Sequence, residues 1–381
     1  MIRNSAVPKI VIVGPSTRFL SGISYYTIRL ANTLSAHTSV TALLFRHMIP
    51  KKLFPGSERV GKDLATLSYL PTVHIREILD WYNPVTWIRG LQQLKKADVI
   101  ILEWWTSSVA HMYFALVILL QGKKKYFIEF HEIVDPLEYA IAPLRIYAMI
   151  TGRIIRKQAK GYIVHSDHDR NGIAQHYAIS KDRITIIPHG LYDQYPTYEK
   201  TVMREKLGIC EPYILLFFGL IRQYKGVSYL IEAFENLPES VRNTMHLLIV
   251  GEVWDEPNLY IHLEESVTAE HITLINRYVS DDEIPIFFSA ADALVLPYTR
   301  ASQSGIAHIG ISYGLPIIAS EVGGLQESLA IYDGTTFVKP EDSDSLTRAI
   351  ISARYKKPKQ YKAPKSMQWE TIREKWMEIL L

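Results

Sequence analysis

The sequence predicts an α/β protein made of two Rossmann-like, doubly wound parallel-sheet domains in series. Three observations predict it. The chain has 381 residues, too many for one compact core and an ordinary length for two. Short β-branched runs alternate with stretches of helical periodicity along nearly the whole chain, the pattern left by βαβ units. Finally, the apolar run Tyr213–Phe218 ends in Gly219 and is followed by Arg222, Lys225 and the helix-like Val227–Leu237. That order describes a loop at the carboxyl edge of a parallel sheet, where open α/β sheets bind ligands.

In the first half, strands are read at Lys9–Gly14, Val40–Phe45, Asp98–Glu103, Lys125–Glu129, Gly161–His165 and Ile184–Ile187. Helices fall between them at Ser24–Ser35, Ser107–Gln121, Pro136–Gln158 and Asp167–Tyr177. In the second half, strands are read at Tyr213–Phe218, His246–Val250, His271–Ile275, Ala293–Leu296 and Pro316–Ala319. Their helices lie near Val227–Leu237, Pro257–Val267, Asp281–Ala290, Ile306–Tyr313 and Gly324–Ala330. The break is placed near Asp193–Tyr198, giving a first domain over 1–195 and a second over 196–365. Two such domains in tandem are expected to leave a ligand cleft between facing strand ends. The segment holding Lys356, Lys357, Lys359, Lys362 and Lys365 also contains proline and reads as an exposed linker. Beyond it, Met367–Leu380 puts Trp369, Ile372, Trp376, Ile379 and Leu380 on one apolar face, which must pack on one of the two domains.

Composition narrows the class. Hydrophobic residues at 48% and charged residues at 21% describe a globular chain, and a net charge of +3 gives no reason to expect nucleic acid as a partner. The single cysteine, Cys210, excludes an internal disulfide or a cysteine metal cage and fits a reducing compartment. Met1–Ser5 lacks the apolar core of a signal peptide, and Met112–Leu120 is far shorter than the ~20 residues that span a bilayer. A cytoplasmic protein is expected, peripheral at most to a membrane. Tyr139–Lys160 bears on that last point: it mixes Ile141, Leu144, Ile146, Tyr147, Met149 and Ile150 with Arg145, Arg153, Arg156 and Lys157. It reads either as a basic helix lying on anionic lipid or as a core helix with a basic outer face.

Most familiar motifs are missing. The chain has no Gly-x-Gly-x-x-Gly for a nicotinamide or flavin, no His-x-x-x-His zinc pair and no Gly-x-Ser-x-Gly elbow. Gly56–Asp63 approaches a phosphate-binding P-loop but ends in Asp where a hydroxyl should meet magnesium. Asp167-His168-Asp169 and Asp342-Ser343-Asp344 could hold a metal on a nucleotide sugar, but each precedes a helix and reads better as a cap. No resident metal or cofactor is expected. What remains is the Gly219–Gly226 loop. Gly219 would let the backbone approach a ligand, and Arg222 and Lys225 supply charge where a diphosphate would sit; otherwise the loop is a solvated basic turn. His131 directly follows the strand Lys125–Phe130 and so falls at a sheet edge.

An ordered set of segments resembles the retaining nucleotide-sugar glycosyltransferases of glycosyltransferase family 4 (group 1), which have the GT-B fold. The first domain matches in Gly14-Pro15, Ser21-Gly22-Ile23, Phe130-His131-Glu132, Val164-His165-Ser166 and Ile187-Pro188-His189-Gly190. The second matches in Phe218–Gly226, Ile249-Val250-Gly251-Glu252, Ala290–Ala293, Leu296-Pro297, Gly314–Ala319 and Val322–Glu327.

The resemblance implies that the second domain binds a UDP- or GDP-sugar, with Arg222 and Lys225 on the donor diphosphate. It implies that the first domain binds a glycan or lipid-linked acceptor. Gly22 would close over the diphosphate, and His131 would contact the donor sugar. The turn holding Val279 would pack on the base, and Ser304-Gly305-Ile306 would aim backbone N–H groups at donor oxygens. The last helix would return to the first domain. The family's two glutamates, separated by seven intervening residues, are not found: no acidic residue lies between Asp292 and Glu321. By spacing they would fall at Ala301 and Ile309, so Ser302, Gln303 or Ser304 would have to supply neutral hydrogen bonds instead. The expected function is a retaining, metal-independent hexosyl transfer serving polysaccharide synthesis. The alternative is a non-catalytic glycan- or nucleotide-binding protein on the same fold.

Overall fold

The computed structural model describes residues 7–19, 22–47, 66–133, 142–256 and 259–380. The chain divides into two compact units, Met1–His189 with Trp369–Leu381, and Gly190–Gln368.

The first unit contains a seven-stranded sheet: β1 (Lys9–Pro15), β2 (Ser39–His47), β3 (His74–Asp80), β4 (Val99–Trp104), β5 (Lys125–Phe130), β6 (Gly161–Val164) and β7 (Ile184–Ile186). Its order is β3-β2-β1-β4-β5-β6-β7, with every pairing parallel. The central strands read as largely apolar runs, interrupted by one internal acid each in β4 and β5, because helices cover both faces. Winding changes direction between β1 and β4, so the connections leaving these two strands diverge and open a crevice at their carboxyl ends. Two apolar clusters form the core. One of them unites Tyr26, Leu30 and Leu34 of the helix Gly22–Leu34 with Trp369, Ile372, Trp376 and Leu380 of the final helix, Trp369–Leu380. The final helix therefore completes the core of the first unit.

The second unit repeats the scheme with β8 (Tyr213–Phe218), β9 (Met245–Val250), β10 (Ile272–Ile275), β11 (Ala293–Leu296), β12 (Ile317–Ser320) and β13 (Thr335–Val338). The order is β10-β9-β8-β11-β12-β13, again all parallel. The reversal here lies between β8 and β11, and the Gly219–Gly226 loop leaves the sheet at that point.

Elements the sequence did not reveal share a cause. β3 and β13 are edge strands, and the first three residues of β3 are exposed, so neither shows a long apolar run. The stretch between Phe45 and Asp98, where no strand or helix is read from the sequence, contains β3 and the helix Pro84–Leu94. The helix Lys200–Leu207, also unanticipated, buries none of its residues. Both Asp-x-Asp pairs are helix starts: the Ser166 hydroxyl accepts from the Asp169 N–H at 3.0 Å, and the Asp342 carboxylate from the Ser345 N–H at 2.7 Å. The helix expected at Pro136–Gln158 is described from Ala142, and that expected at Pro257–Val267 spans Leu259–Glu265. Gly56–Asp63 lies outside the described residues.

Because Trp376 is fully buried, Trp376→Ala should destabilise the first unit by about 3–5 kcal/mol. Chemical denaturation followed by a probe in that unit should show a lowered midpoint, with Trp376→Phe losing much less.

Candidate active site

In the second unit, three loops converge at the carboxyl ends of β8, β9 and β11. Backbone bonds lock the first two together: Gly219 N–H to Val250 C=O at 2.9 Å, Ile221 N–H to Glu252 C=O at 2.9 Å, and Trp254 N–H to Ile221 C=O at 3.0 Å. The approach is close enough that a Cβ on Gly251 would collide with the Gly219 carbonyl. The third joins through Thr299, whose N–H donates to Tyr224 C=O at 2.8 Å, and through Gly226, where a Cβ would strike the Pro297 carbonyl. Gly226 also sits at φ 67°, a left-handed conformation that starts the helix Val227–Glu235 directly after the turn.

This scaffold fixes both cations. The Arg222 guanidinium lies over the Trp254 ring, 4.6 Å from its centroid, and its Nε is buried with no hydrogen-bond partner among the described residues. The Lys225 ammonium stands 3.8 Å from the centroid of Tyr298 and 5.5 Å from that of Tyr224. Loss of solvation pulls the Lys225 pKa down to about 8; Tyr224 opposes this and Arg222 adds to it. Two cations held on aromatic faces, one with an unspent donor, are an arrangement with the chemistry to bind an anion.

The site extends to the helix Gly305–Ser312. The Tyr298 hydroxyl lies 3.3 Å from Ser304 Oγ, and Ser304 caps that helix by accepting from the Ala307 N–H. A Cβ placed on Gly219 would sit 3.4 Å from Ile306, and one on Gly305 would come within 2.8 Å of the Tyr192 ring. Gly219, Lys225, Ser304, Gly305 and Ile306 are thus brought together. Ser302 and Gln303 lie half-buried just before the cap. Val279 is buried in a separate loop after β10, where Arg277 pairs with Glu283 and its hydrogen bonds hold the Glu283 carboxyl down at about 2. Ile309, one position reached by spacing for the family's glutamates, is a buried core residue.

In the first unit, Gly22 is exposed at the start of its helix, and β5, β6 and β7 are each followed by a histidine: His131, His165 and His189. The His131 N–H is tied to Trp104 C=O at 2.9 Å. All three imidazoles contact the Tyr26 ring, with centroids 4.9, 5.3 and 4.7 Å away. Beneath them, Glu103 and Glu129 are paired across β4 and β5, both fully buried. Tyr26 donates to Glu129 at 2.5 Å and Thr27 to Glu103 at 2.6 Å. Burial raises the pKa of both carboxyls, and Glu129 further raises that of Glu103. Burial lowers both imidazoles, His165 to about 3 and His131 well below the usual range. Ligand atoms of Glu129, His131 and His165 lie within 4.8 Å of one another, a spacing that a divalent ion could bridge by displacing the hydrogen bond between the two imidazoles.

Sequence reasoning singled out His131 but passed over Tyr26, Glu103, Glu129 and His165 as site residues, and Trp254 and Tyr298 beside the cations. The overlooked signal was a charged residue inside each of two otherwise apolar strands, Val99–Trp104 and Lys125–Phe130.

Two all-parallel α/β units, each with its chemistry-bearing residues at the carboxyl edge, define a GT-B protein. Residues 199–367 match the family model described as glycosyl transferases group 1, and residues 20–194 that of glycosyltransferase family 4. The chain belongs to this glycosyltransferase family. It is 28% identical over 192 residues to the lipopolysaccharide glucosyltransferase WaaG of Escherichia coli K12, covering 48% of this chain and 50% of that one. It thus spans about half the length of the curated relatives it matches. Among solved structures, HepE of Anabaena in complex with UDP superposes with a TM-score of 0.71 at 14% identity, over 98% of this chain and 99% of that one. Sucrose-phosphate synthase of Thermosynechococcus elongatus gives 0.69 at 17%, over 98% of each. At these identities the likeness is one of fold.

The lowered Lys225 pKa yields a testable pH dependence. Below about 8 the ammonium is charged before a diphosphate arrives; above it, binding must first take up a proton. UDP affinity should therefore weaken as pH rises through 8, with net proton uptake visible when calorimetry is repeated in buffers of different ionisation enthalpy.

Proposed function

We propose that this protein transfers a hexosyl group, with retention of configuration, from a UDP- or GDP-sugar to a hydroxyl of a glycan or lipid-linked acceptor. The observation that carries this reading is the Arg222/Lys225 pair at the β8/β11 reversal, fixed on Trp254 and Tyr298 with Arg222 Nε unpaired. Solved structures of HepE with UDP and with UDP-glucose, on the same fold, support a nucleotide-sugar donor.

In the reaction, the bond from the anomeric carbon to the diphosphate oxygen breaks, and negative charge gathers on the departing phosphate. Arg222 and Lys225 stabilise that charge without a metal ion, and more strongly in the transition state than in the ground state. The departing oxygen accepts the acceptor hydroxyl's proton as the new glycosidic bond forms on the same face. The backbone N–H groups at Ser304-Gly305-Ile306 face donor oxygens, and Val279 packs on the base. Ser302, Gln303 and Ser304 take over ribose recognition. In the first unit, His131 is assigned to the donor sugar and Gly22 to the diphosphate. Arg222→Ala and Lys225→Ala should each lower turnover about 10²–10³-fold. Unchanged transfer and donor hydrolysis in both would overturn the assignment.

A second reading, a non-catalytic sugar-nucleotide binder, is favoured only by the lack of any carboxylate between Asp292 and Glu321. Nucleotide release on addition of an acceptor extract separates the two readings.

The lipid-linked acceptor is supported by the helix Ala142–Gln158. Ile146, Met149, Ile150 and Ile154 are exposed along one face, alongside exposed Arg145, Arg153 and Lys157. Among the described residues no helix is long and apolar enough to cross a membrane. This face is proposed to rest on an anionic bilayer, working as a peripheral contact on the cytoplasmic side. Phosphatidylglycerol-containing vesicles should co-sediment the protein at low salt and release it at high salt. No binding at low salt would end the idea.

A further inference from the structure

We propose that His165 is a positioning residue that fixes the tautomer of His131, so that His131 meets its ligand with an unprotonated Nε2 that accepts a hydrogen bond. The argument runs along a chain of hydrogen bonds with one possible direction. The Ile187 carbonyl, 3.0 Å from His165 Nδ1, can only accept, so that nitrogen carries the proton. Ile187 is itself held to the sheet through its N–H to Val164 C=O at 2.9 Å, so the start of the chain is rigid.

A neutral His165 then has its lone pair on Nε2, which lies 3.3 Å from His131 Nδ1. His131 Nδ1 must therefore be the donor. The remaining nitrogen of His131, Nε2, is left as an acceptor, and it is buried with no partner among the described residues. An unsatisfied buried acceptor is costly unless a ligand completes it.

The surroundings keep both rings neutral. Burial and the neighbouring imidazoles, His189 included, disfavour charge on either. Glu129 Oε1 lies 4.0 Å from His165 Nε2, but that oxygen already accepts from the Tyr26 hydroxyl, and burial keeps its carboxyl protonated near neutrality. Tyr26 sets the ring planes, standing edge-on to His131 and to His165.

The chemical consequence is a specificity rule. The group facing His131 Nε2 must be a donor, such as a sugar hydroxyl. A fluorine or ether oxygen in its place leaves two acceptors facing each other. The link to a donor sugar rests on the function proposed above, whereas the tautomer does not.

The test begins with the full-length, ligand-free protein labelled with 15N-histidine. NMR at neutral pH should show His131 protonated at Nδ1 and bare at Nε2. A His131 protonated at Nε2, or at both nitrogens, overturns the proposal, as does stoichiometric tightly bound zinc that takes the place of the inter-imidazole hydrogen bond. His165→Gln and His165→Asn then separate positioning from packing. The Gln amide oxygen reaches the place of the imidazole Nε2 and should keep the His131 tautomer, with turnover within a few-fold of the parent. Asn ends near the place of Nδ1; it can still bond Ile187 but leaves His131 Nδ1–H unpaired. His131 should then populate both tautomers, and kcat should fall on the order of 10- to 100-fold with a smaller change in KM for the donor. Equal behaviour of the two variants would overturn the positioning role. If the parent protein shows the expected tautomer but transfers no sugar, the functional reading fails and the tautomer assignment stands.

Discussion

Parallel strand pairing is the constraint on which the rest of this structure depends. Because every strand in each sheet runs the same way, every strand ends at the same edge, and the residues just past those ends become neighbours however far apart they lie in sequence. The reversals at β1/β4 and β8/β11 then leave one place in each edge where the outgoing connections separate. The second unit fills that place with Arg222 and Lys225. The first places its strand-end histidines along the same edge, with Gly14 and Glu103 at the reversal itself: the Glu103 carboxylate occupies the space where a side chain at position 14 would begin.

The two units solve the problem of polar groups near an apolar sheet differently. In the second, the cations rest on aromatic rings and one donor stays unspent, so positive charge is concentrated at the sheet edge. In the first, carboxyl groups and a phenol are fully buried beside largely buried imidazoles, where shedding charge is the cheaper course. Such a cluster has direction but little charge: what it offers a ligand is the orientation of its lone pairs and protons.

The sequence shows through most clearly where burial is two-sided. Strands such as Lys9–Pro15, past its exposed first residue, and Tyr213–Phe218 are continuously apolar because helices cover both faces, and they were legible for that reason. Two of the four edge strands, His74–Asp80 and Thr335–Val338, were not, since exposed and half-exposed polar residues interrupt their apolar pattern. Arg222, Lys225 and His131 could be picked out because each follows a readable strand. Trp254 and Tyr298 could not, because what makes them part of the cation site is a three-dimensional approach of loops after β9 and β11. Glu103 and Glu129 carried a local signal, a lone acid in an apolar run, whose meaning depends on register: the two become neighbours only because β4 and β5 pair with Glu103 opposite Glu129.

The final helix carries a consequence for how the molecule comes into being. Trp369, Ile372, Trp376 and Leu380 belong to the core of a unit whose other residues end at His189, while the second unit is continuous from Gly190 to Gln368. A ribosome delivers the chain in order. The later half can therefore close its core while the earlier half still lacks an apolar wall, its Tyr26–Leu34 face uncovered until the last turns of helix emerge. The residues that complete the first unit's core are thus the last to be made, and until Trp369–Leu380 emerges that unit exposes apolar surface of the kind that favours aggregation.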